Sequence, residues 1–337
     1  MQEARYYEQL GEDLVWCHLC PHNCKIKPEQ LGICRARQNR GGILYTLNYS
    51  RVTSLAVDPI EKKPLYHYYP GRNILSVGTF GCNFRCGFCQ NWEIAHGDSP
   101  ATREVTAETL VGVALEAQKD TDSIGIAYTY SEPLIWYEFV YDTAKMAHQR
   151  GLKNVLVTNG FVQQEPLLEL LPFIDALNID VKAFTDEYYR KTCGGKLEPV
   201  LKSVELAQES CHVEITTLVV PGMNDSDQEI NALVDWIASL DPGIPLHFSR
   251  YFPQYQFDLP PTPLETLVRA LEIARSKLDF VYIGNAWEMD EADTYCPECG
   301  HLLIKRSGYG VEVKGLNGNK CRGCGREARV AVDSDSK

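Results

Sequence analysis

The sequence predicts an α/β chain. Its centre reads as a partial (β/α) barrel, TIM-like in layout, with a small cysteine-rich module before it and a ribbon-like module after it. Three observations predict this. Short apolar runs alternate with amphipathic segments through the middle of the chain. The 13 cysteines fall into three separate sets and two single positions. Charge is uneven: residues 1–70 carry net +2, residues 71–290 carry −15, and residues 291–337 carry +1. The expected divisions are therefore 1–70, 71–290 and 291–330, followed by a polar, disordered tail at 331–337.

The runs ILSVG (74–78), IGIAY (124–128), VLVT (155–158), ALNIDV (176–181), HVEITTLVV (212–220), PLHFSRY (245–251) and FVYIG (280–284) are short and rich in β-branched or aromatic residues, as buried parallel strands are. Helical spacing falls between them. Leu110, Val113, Ala114 and Ala117 form one apolar stripe. Ile230, Leu233, Val234 and Ile237 form a second, and Leu264, Leu267, Val268 and Leu271 a third. Thr106 is placed to start the first of these helices. Ser226 and Glu229 have capping-box spacing. Repeated βα units imply a parallel sheet, and in a barrel the chemistry sits after the strands, in the βα loops.

Composition excludes several classes. With 44% hydrophobic and 23% charged residues, the 337-residue chain can bury a real core. A net charge of −12 argues against unspecific nucleic-acid binding. No apolar run reaches the roughly 18 residues of a membrane span. The acidic start, MQEARYYEQLGEDLVW, is not a signal peptide. An odd, clustered set of cysteines then reads as metal ligation in a reducing cytoplasm rather than as disulfides. Cys193 and Cys211, standing alone, read as ordinary buried residues.

The strongest signal is Cys82-x3-Cys86-x2-Cys89, in GTFGCNFRCGFCQNW directly after the first run. A closed zinc site wants four ligands, and only His96 lies nearby as a fourth. Three thiolates fit better on a 4Fe–4S cluster that keeps one iron open for a small molecule. Later strand ends add polar groups: Glu132 in YTYSEP, Thr158-Asn159-Gly160, and Asp180-Val-Lys182. Asp180 and Lys182 alternate onto one face, as do Glu214 and Thr216. His247, Arg250 and Asn285 follow at the ends of the last two runs.

Two further cysteine sets flank the barrel. Cys296-x2-Cys299 and Cys321-x2-Cys324, each pair followed by Gly, form a zinc-ribbon pattern; a rubredoxin-like iron site shares the spacing. Cys17, Cys20, Cys24 and Cys34 suit zinc or a second iron–sulfur cluster, with His18 and His22 spare, or no metal.

CxxxCxxC with an aromatic residue, Phe88, before its last cysteine resembles the signature of the radical S-adenosylmethionine (SAM) superfamily. The resemblance implies a barrel of the radical SAM type and an oxygen-sensitive, oxidoreductase-type enzyme. Its cluster cleaves SAM reductively to methionine and a 5′-deoxyadenosyl radical, which abstracts hydrogen from a substrate. The TNG turn, the DxK pair and the VPG-type turn at 220–222 resemble the pyruvate formate-lyase activating branch. YTYSEP occupies the place of that superfamily's GGEP-like motif without its glycines, and Val157 stands where the branch usually has an acid. By this resemblance Phe88, Tyr128, Tyr130, Glu132, Thr158, Asn159, Asp180, Lys182, Glu214, Thr216, His247 and Arg250 are the expected cofactor-binding positions. CHLCPHNCKI, YSRVTSLAVDPIEKKPLYHYYPG, YTYSEP and HFSRYFP resemble the radical SAM enzyme of the AmmeMemoRadiSam system. That implies Memo-type and AMMECR-domain partners and a reductant such as flavodoxin or ferredoxin. Two other readings stay open: an activase that installs a glycyl radical on a partner protein, and a non-catalytic iron–sulfur electron carrier.

Overall fold

The computed structural model describes residues 1–286, 288–289 and 291–332. At its centre is one eight-stranded sheet: β1 (Ser54–Pro59), β2 (Asn73–Gly78), β3 (Ser123–Tyr128), β4 (Lys153–Thr158), β5 (Ala176–Asp180), β6 (His212–Val219), β7 (Leu246–Arg250) and β8 (Val281–Gly284). The strands lie side by side in chain order. All pairings from β2 to β8 are parallel. Parallel neighbours need long crossovers. These are supplied by α1 (Ala107–Thr121), α2 (Tyr137–Gln149), α3 (Gln164–Leu170), α4 (Glu198–Ala207), α5 (Asp227–Leu240) and α6 (Leu264–Arg275). Because helices cover the outer face, strands such as β3 are buried at every position. Gly125 marks a tight point between β3 and β4. A Cβ there would lie 1.9 Å from the Lys153 carbonyl oxygen, so only glycine fits.

Helix starts are partly as the sequence predicts. Thr106 Oγ1 accepts the Thr109 N–H at 3.2 Å, and Ser226 Oγ accepts that of Glu229 at 3.2 Å. The reciprocal half of the capping box is absent. Glu229 instead accepts the Phe184 N–H at 2.7 Å, tying α5 to the loop after β5.

β1 is not among the predicted strands. It pairs antiparallel with β2, from Ser54 opposite Gly78 to Pro59 opposite Asn73. Among the described residues β1 and β8 form the two edges of the sheet, and chain from before β2 and after β8 packs against its inner strands. The Pro64 carbonyl accepts Asn178 Nδ2 at 2.8 Å, and the Tyr66 and His67 N–H groups donate to Glu214 at 3.0 and 2.7 Å. His67 Nε2 meets the Tyr282 hydroxyl at 2.6 Å. From the C-terminal side, Arg306 Nη2 donates to the Tyr66 carbonyl at 2.6 Å, and Ala331 bridges Tyr68. Ala331 is thus placed, whereas the rest of the expected tail, from 333 on, lies outside the described residues.

The N-terminal module is built from two small antiparallel sheets, Gln2–Glu3 with Ile43–Thr46 and Arg37–Arg40, and Tyr7–Gln9 with Val15–Cys17 and Lys25–Ile26. Its anchor is an ion pair between Arg37 and Glu138 of α2, with side chains only 1% and 3% exposed. The same carboxylate accepts the Arg5 N–H at 2.7 Å. The C-terminal module is a three-stranded sheet, Thr294–Tyr295, Leu302–Ser307 and Gly310–Val313, with a short hairpin, Leu316–Asn317 and Lys320–Cys321. Among the described residues no helix is long and apolar enough to cross a membrane.

Two outcomes follow. Breaking a buried pair leaves an uncompensated charge, so Glu138→Ala should lower unfolding free energy by about 3–5 kcal/mol, read by denaturant titration. Burial pushes the His67 imidazole down to about 3. A folded value below the unfolded one, about 6.5, means that protonation opposes folding. Denaturant midpoints should therefore fall as pH drops from about 6.5 towards 3, with a shallower slope for His67→Gln.

Candidate active site

The loop of residues 79–91 leaves β2 at the carboxyl edge of the sheet. Gly81 has φ +91°, and a Cβ on it would sit 2.7 Å from the Cys34 carbonyl oxygen. Glycine is therefore required one residue before Cys82. Cys82, Cys86 and Cys89 line one cavity of about 680 Å³. The Phe84 N–H points at Cys82 Sγ from 3.4 Å, and Asn159 Nδ2 from 3.7 Å. Asn159 also donates to Asn83 Oδ1 at 2.9 Å, joining the cysteine loop to the turn after β4. Burial raises the Cys82 thiol, and raises that of Cys89 to about 11. For Cys86 the first cause is a hydrogen bond with Cys193, and burial comes second. Cys193, a plain core residue by sequence, is fully buried as expected and stands beside this loop.

Glu132, which lines the same cavity, is 1% exposed. Its carboxylate accepts the Leu134 N–H at 2.9 Å, the Thr158 hydroxyl at 2.6 Å and the Asn159 N–H at 2.8 Å. Burial pushes its pKa up to about 7. Glu132 therefore both caps the short turn Pro133–Ile135 and faces the cavity. Asp180 and Lys182, 3.0 Å apart, line the same space, and Lys182 Nζ stands 5.9 Å from the Phe88 ring centre. Tyr130, at φ +72°, lines it too; its hydroxyl donates to Asp58 at 2.8 Å and its carbonyl accepts Asn91 Nδ2 at 2.6 Å. Phe88, Thr158, Asn159, Thr216, His247 and Asn285 complete the predicted residues found there.

Three expected positions are not at the cavity. Tyr128 is fully buried and turned away, with its hydroxyl 3.3 Å from Asn154 Oδ1. Glu214 shares its face with Thr216 but lies two residues deeper. It is 0% exposed, with both oxygens occupied: Tyr66 and His67 N–H donate to them, and His212 and His247 Nε2 lie at 2.9 and 2.7 Å. Arg250 follows the period-two rule to the opposite face from His247 and Ser249. It binds the Thr262 carbonyl at 2.9 Å and Glu288 at 3.2 Å. Conversely, Lys62, Tyr66, Arg306 and Tyr309 line the cavity without being among the expected site residues, although Lys62 and Tyr66 fall in the segment YSRVTSLAVDPIEKKPLYHYYPG. Periodicity does not reach them because tertiary packing alone delivers them from outside the βα units.

The C-terminal cysteines converge. Sulfurs of Cys296 and Cys324 are 3.6 Å apart, those of Cys299 and Cys321 are 3.7 Å apart, and all four lie within 4.8 Å of one another. A tetrahedron with metal–sulfur bonds of about 2.3 Å has edges of about 3.8 Å, so the four fit one ion. Among the described residues no other three cysteine, histidine or acidic side chains gather as tightly. Soft donors set wider than a single ion requires, facing a cavity, suit a polynuclear iron–sulfur centre at Cys82, Cys86 and Cys89.

Comparison with known proteins agrees with this geometry. Residues 76–236, from β2 into α5, match the Radical SAM superfamily. Uncharacterized protein MJ0808 of Methanocaldococcus jannaschii is 43% identical, over 98% of this chain and 100% of that one. Pyruvate formate-lyase 1-activating enzyme of Escherichia coli is 31% identical, over 45% of this chain and 63% of that protein. The crystal structure of Streptococcus suis SuiB bound to S-adenosylmethionine shares the fold, with a TM-score of 0.51 and 14% identity over 67% of this chain and 54% of that one. A parallel sheet that opens with a three-cysteine loop, together with these likenesses, makes this chain an enzyme of the radical SAM superfamily.

Proposed function

We propose that the enzyme binds a 4Fe–4S cluster on Cys82, Cys86 and Cys89 and uses it on SAM in the adjoining cavity. The observation that carries this reading is a loop with three thiols, not four, opening on a cavity that a buried acid and an Asp–Lys pair also line. The bound cluster supplies one electron that cleaves SAM to methionine and a 5′-deoxyadenosyl radical, which abstracts hydrogen from the substrate. The protein's own residues bind and orient. Glu132 has acceptor capacity for an ammonium. Lys182 offers a counter-charge to a carboxylate, and Asp180 steadies it. Thr158 and Asn159 fix Glu132, and Asn159 also fixes the cysteine loop. Phe88, Tyr130, Thr216 and His247 shape the rest.

The reductant is a low-potential donor of the flavodoxin or ferredoxin kind. Zinc at Cys296, Cys299, Cys321 and Cys324 holds the C-terminal module together, since a segment this small gains its folding energy from a closed four-thiolate site. The resemblance to the AmmeMemoRadiSam enzyme makes Memo-type and AMMECR-domain proteins the proposed partners. A second reading, an activase that installs a glycyl radical on a partner protein, is favoured by the likeness to an activating enzyme over 45% of the chain. A gene neighbour with a glycyl radical domain separates the two.

Anaerobic reconstitution with iron and sulfide, then dithionite and SAM, should yield 5′-deoxyadenosine above a Cys89→Ala control. Absence of product from a reduced, cluster-loaded protein would overturn the reading. Cys86→Ala should lose the loop's iron yet keep the ribbon's zinc, measured by metal analysis. Glu132→Gln should keep its iron and weaken SAM binding roughly 10- to 100-fold by calorimetry, the size expected for a lost charge-assisted hydrogen bond of about 1.5–3 kcal/mol.

A further inference from the structure

We infer that Cys17, Cys20, Cys24 and Cys34 hold a second iron–sulfur cluster, seated directly against the loop of Cys82, Cys86 and Cys89. The inference rests on the cluster reading of that loop. It goes beyond that reading by giving the N-terminal module a redox cofactor.

The ligand pattern is the first ground. The C-terminal set comes as two C-x2-C pairs whose four sulfurs gather at single-ion spacing. The N-terminal set is C-x2-C-x3-C with a distant fourth cysteine: three thiols from one winding loop and one from elsewhere, as ferredoxin-type sites are built. Cys17, Cys20 and Cys34 are at most 9% exposed, and all four thiols are free. The Cys17 N–H donates to the Cys24 carbonyl at 2.9 Å and the Asn23 N–H to that of Cys20 at 3.1 Å, so the loop curls back on itself. Among the described residues, these four are not drawn to the single-ion spacing of the ribbon. Arg37 Nη1, almost fully buried, stands 3.9 Å from Cys17 Sγ and gives a thiolate-bound centre a nearby cation.

Placement is the second ground. His22 Nε2, between Cys20 and Cys24, lies 2.7 Å from the Asn83 carbonyl. Arg85 Nη2 donates to the Ile33 carbonyl at 2.9 Å. The Cys34 carbonyl oxygen packs on Gly81, leaving no room for a side chain there. A ligand residue of one set thus touches the neighbour of a ligand residue of the other. A structural zinc site has no need of that proximity. An electron-accepting centre gains a short route from it: one electron enters from a low-potential one-electron donor and leaves toward Cys82, with no bond made and no proton moved.

The test uses the full-length chain with Cys82→Ala, Cys86→Ala and Cys89→Ala combined, reconstituted anaerobically. About four iron and four sulfide should remain per chain, with a dithionite-reduced EPR signal and about one zinc. Loss of all iron with about two zinc per chain would overturn the inference. Because three substitutions can unfold the loop, Cys34→Ser in the otherwise unaltered chain gives an independent reading. Iron should fall by about half, and the spin–spin broadening expected of two neighbouring reduced centres should vanish. Iron content equal to that of the unaltered chain would overturn it. A chain that loads both centres but cleaves no SAM would sink the proposed function and leave this inference standing.

Discussion

A carboxylate without water must receive its hydrogen bonds from the protein, and Glu214 receives four from groups far apart in the chain. Two come from the backbone at Tyr66 and His67, in the chain before β2. Two come from His212 and His247 on β6 and β7. Burial alone would raise the Glu214 pKa; its hydrogen bonds to His212 and His247 outweigh this and hold it well below the usual carboxylate range. The charge is therefore kept where it locks the crossing segment in place. Tyr66 then presents its carbonyl to Arg306, and its ring lies 4.4 Å from that guanidinium. One ionised side chain thus ties the open barrel, the crossing segment and the C-terminal module together, and it sets the position of His247 at the cavity.

The cysteine sets show how the same donor serves different ends. In the C-terminal module, four sulfurs gather within 4.8 Å of one another, a spacing that fits a single ion. In the loop after β2, three sulfurs line an open cavity instead. The loop that carries them is pinned by Gly81, where a side chain would strike the Cys34 carbonyl, and by the Asn159–Asn83 bond.

The parts legible in the sequence are those set by local periodicity. The parallel strands and the major helices were readable because burial on both faces leaves continuous apolar runs, and burial on one face leaves a helical stripe. β1 was hidden. As an edge strand it has exposed Ala56 and Val57 at its middle, so its pattern is neither continuous nor alternating. Period two placed Glu214 with Thr216 correctly but carried no depth. One residue reaches the cavity and the other is sealed beneath it. The same rule, applied to His247 and Ser249, would have removed Arg250. Motif spacing located the thiols, since metal chemistry restricts both donor type and interval. The Glu138–Arg37 anchor joins residues about a hundred positions apart, beyond the reach of any local pattern.

The cavity is built from two kinds of chain. Its rim of Cys82, Cys86, Cys89, Glu132, Asp180 and Lys182 belongs to the stretch that matches the superfamily, residues 76–236. The opposite wall, with Lys62, Tyr66, Arg306 and Tyr309, comes from before and after that stretch. Lys62 Nζ stands 5.3 Å from the Tyr309 ring centre, so the wall joins the two termini through cation–π contacts. Rim and wall differ in character, the first thiol-rich and ionic, the second aromatic and cationic. What the superfamily likeness says about cofactor chemistry concerns the rim. The wall lies outside that match, so the likeness says nothing of the residues that close this side of the cavity.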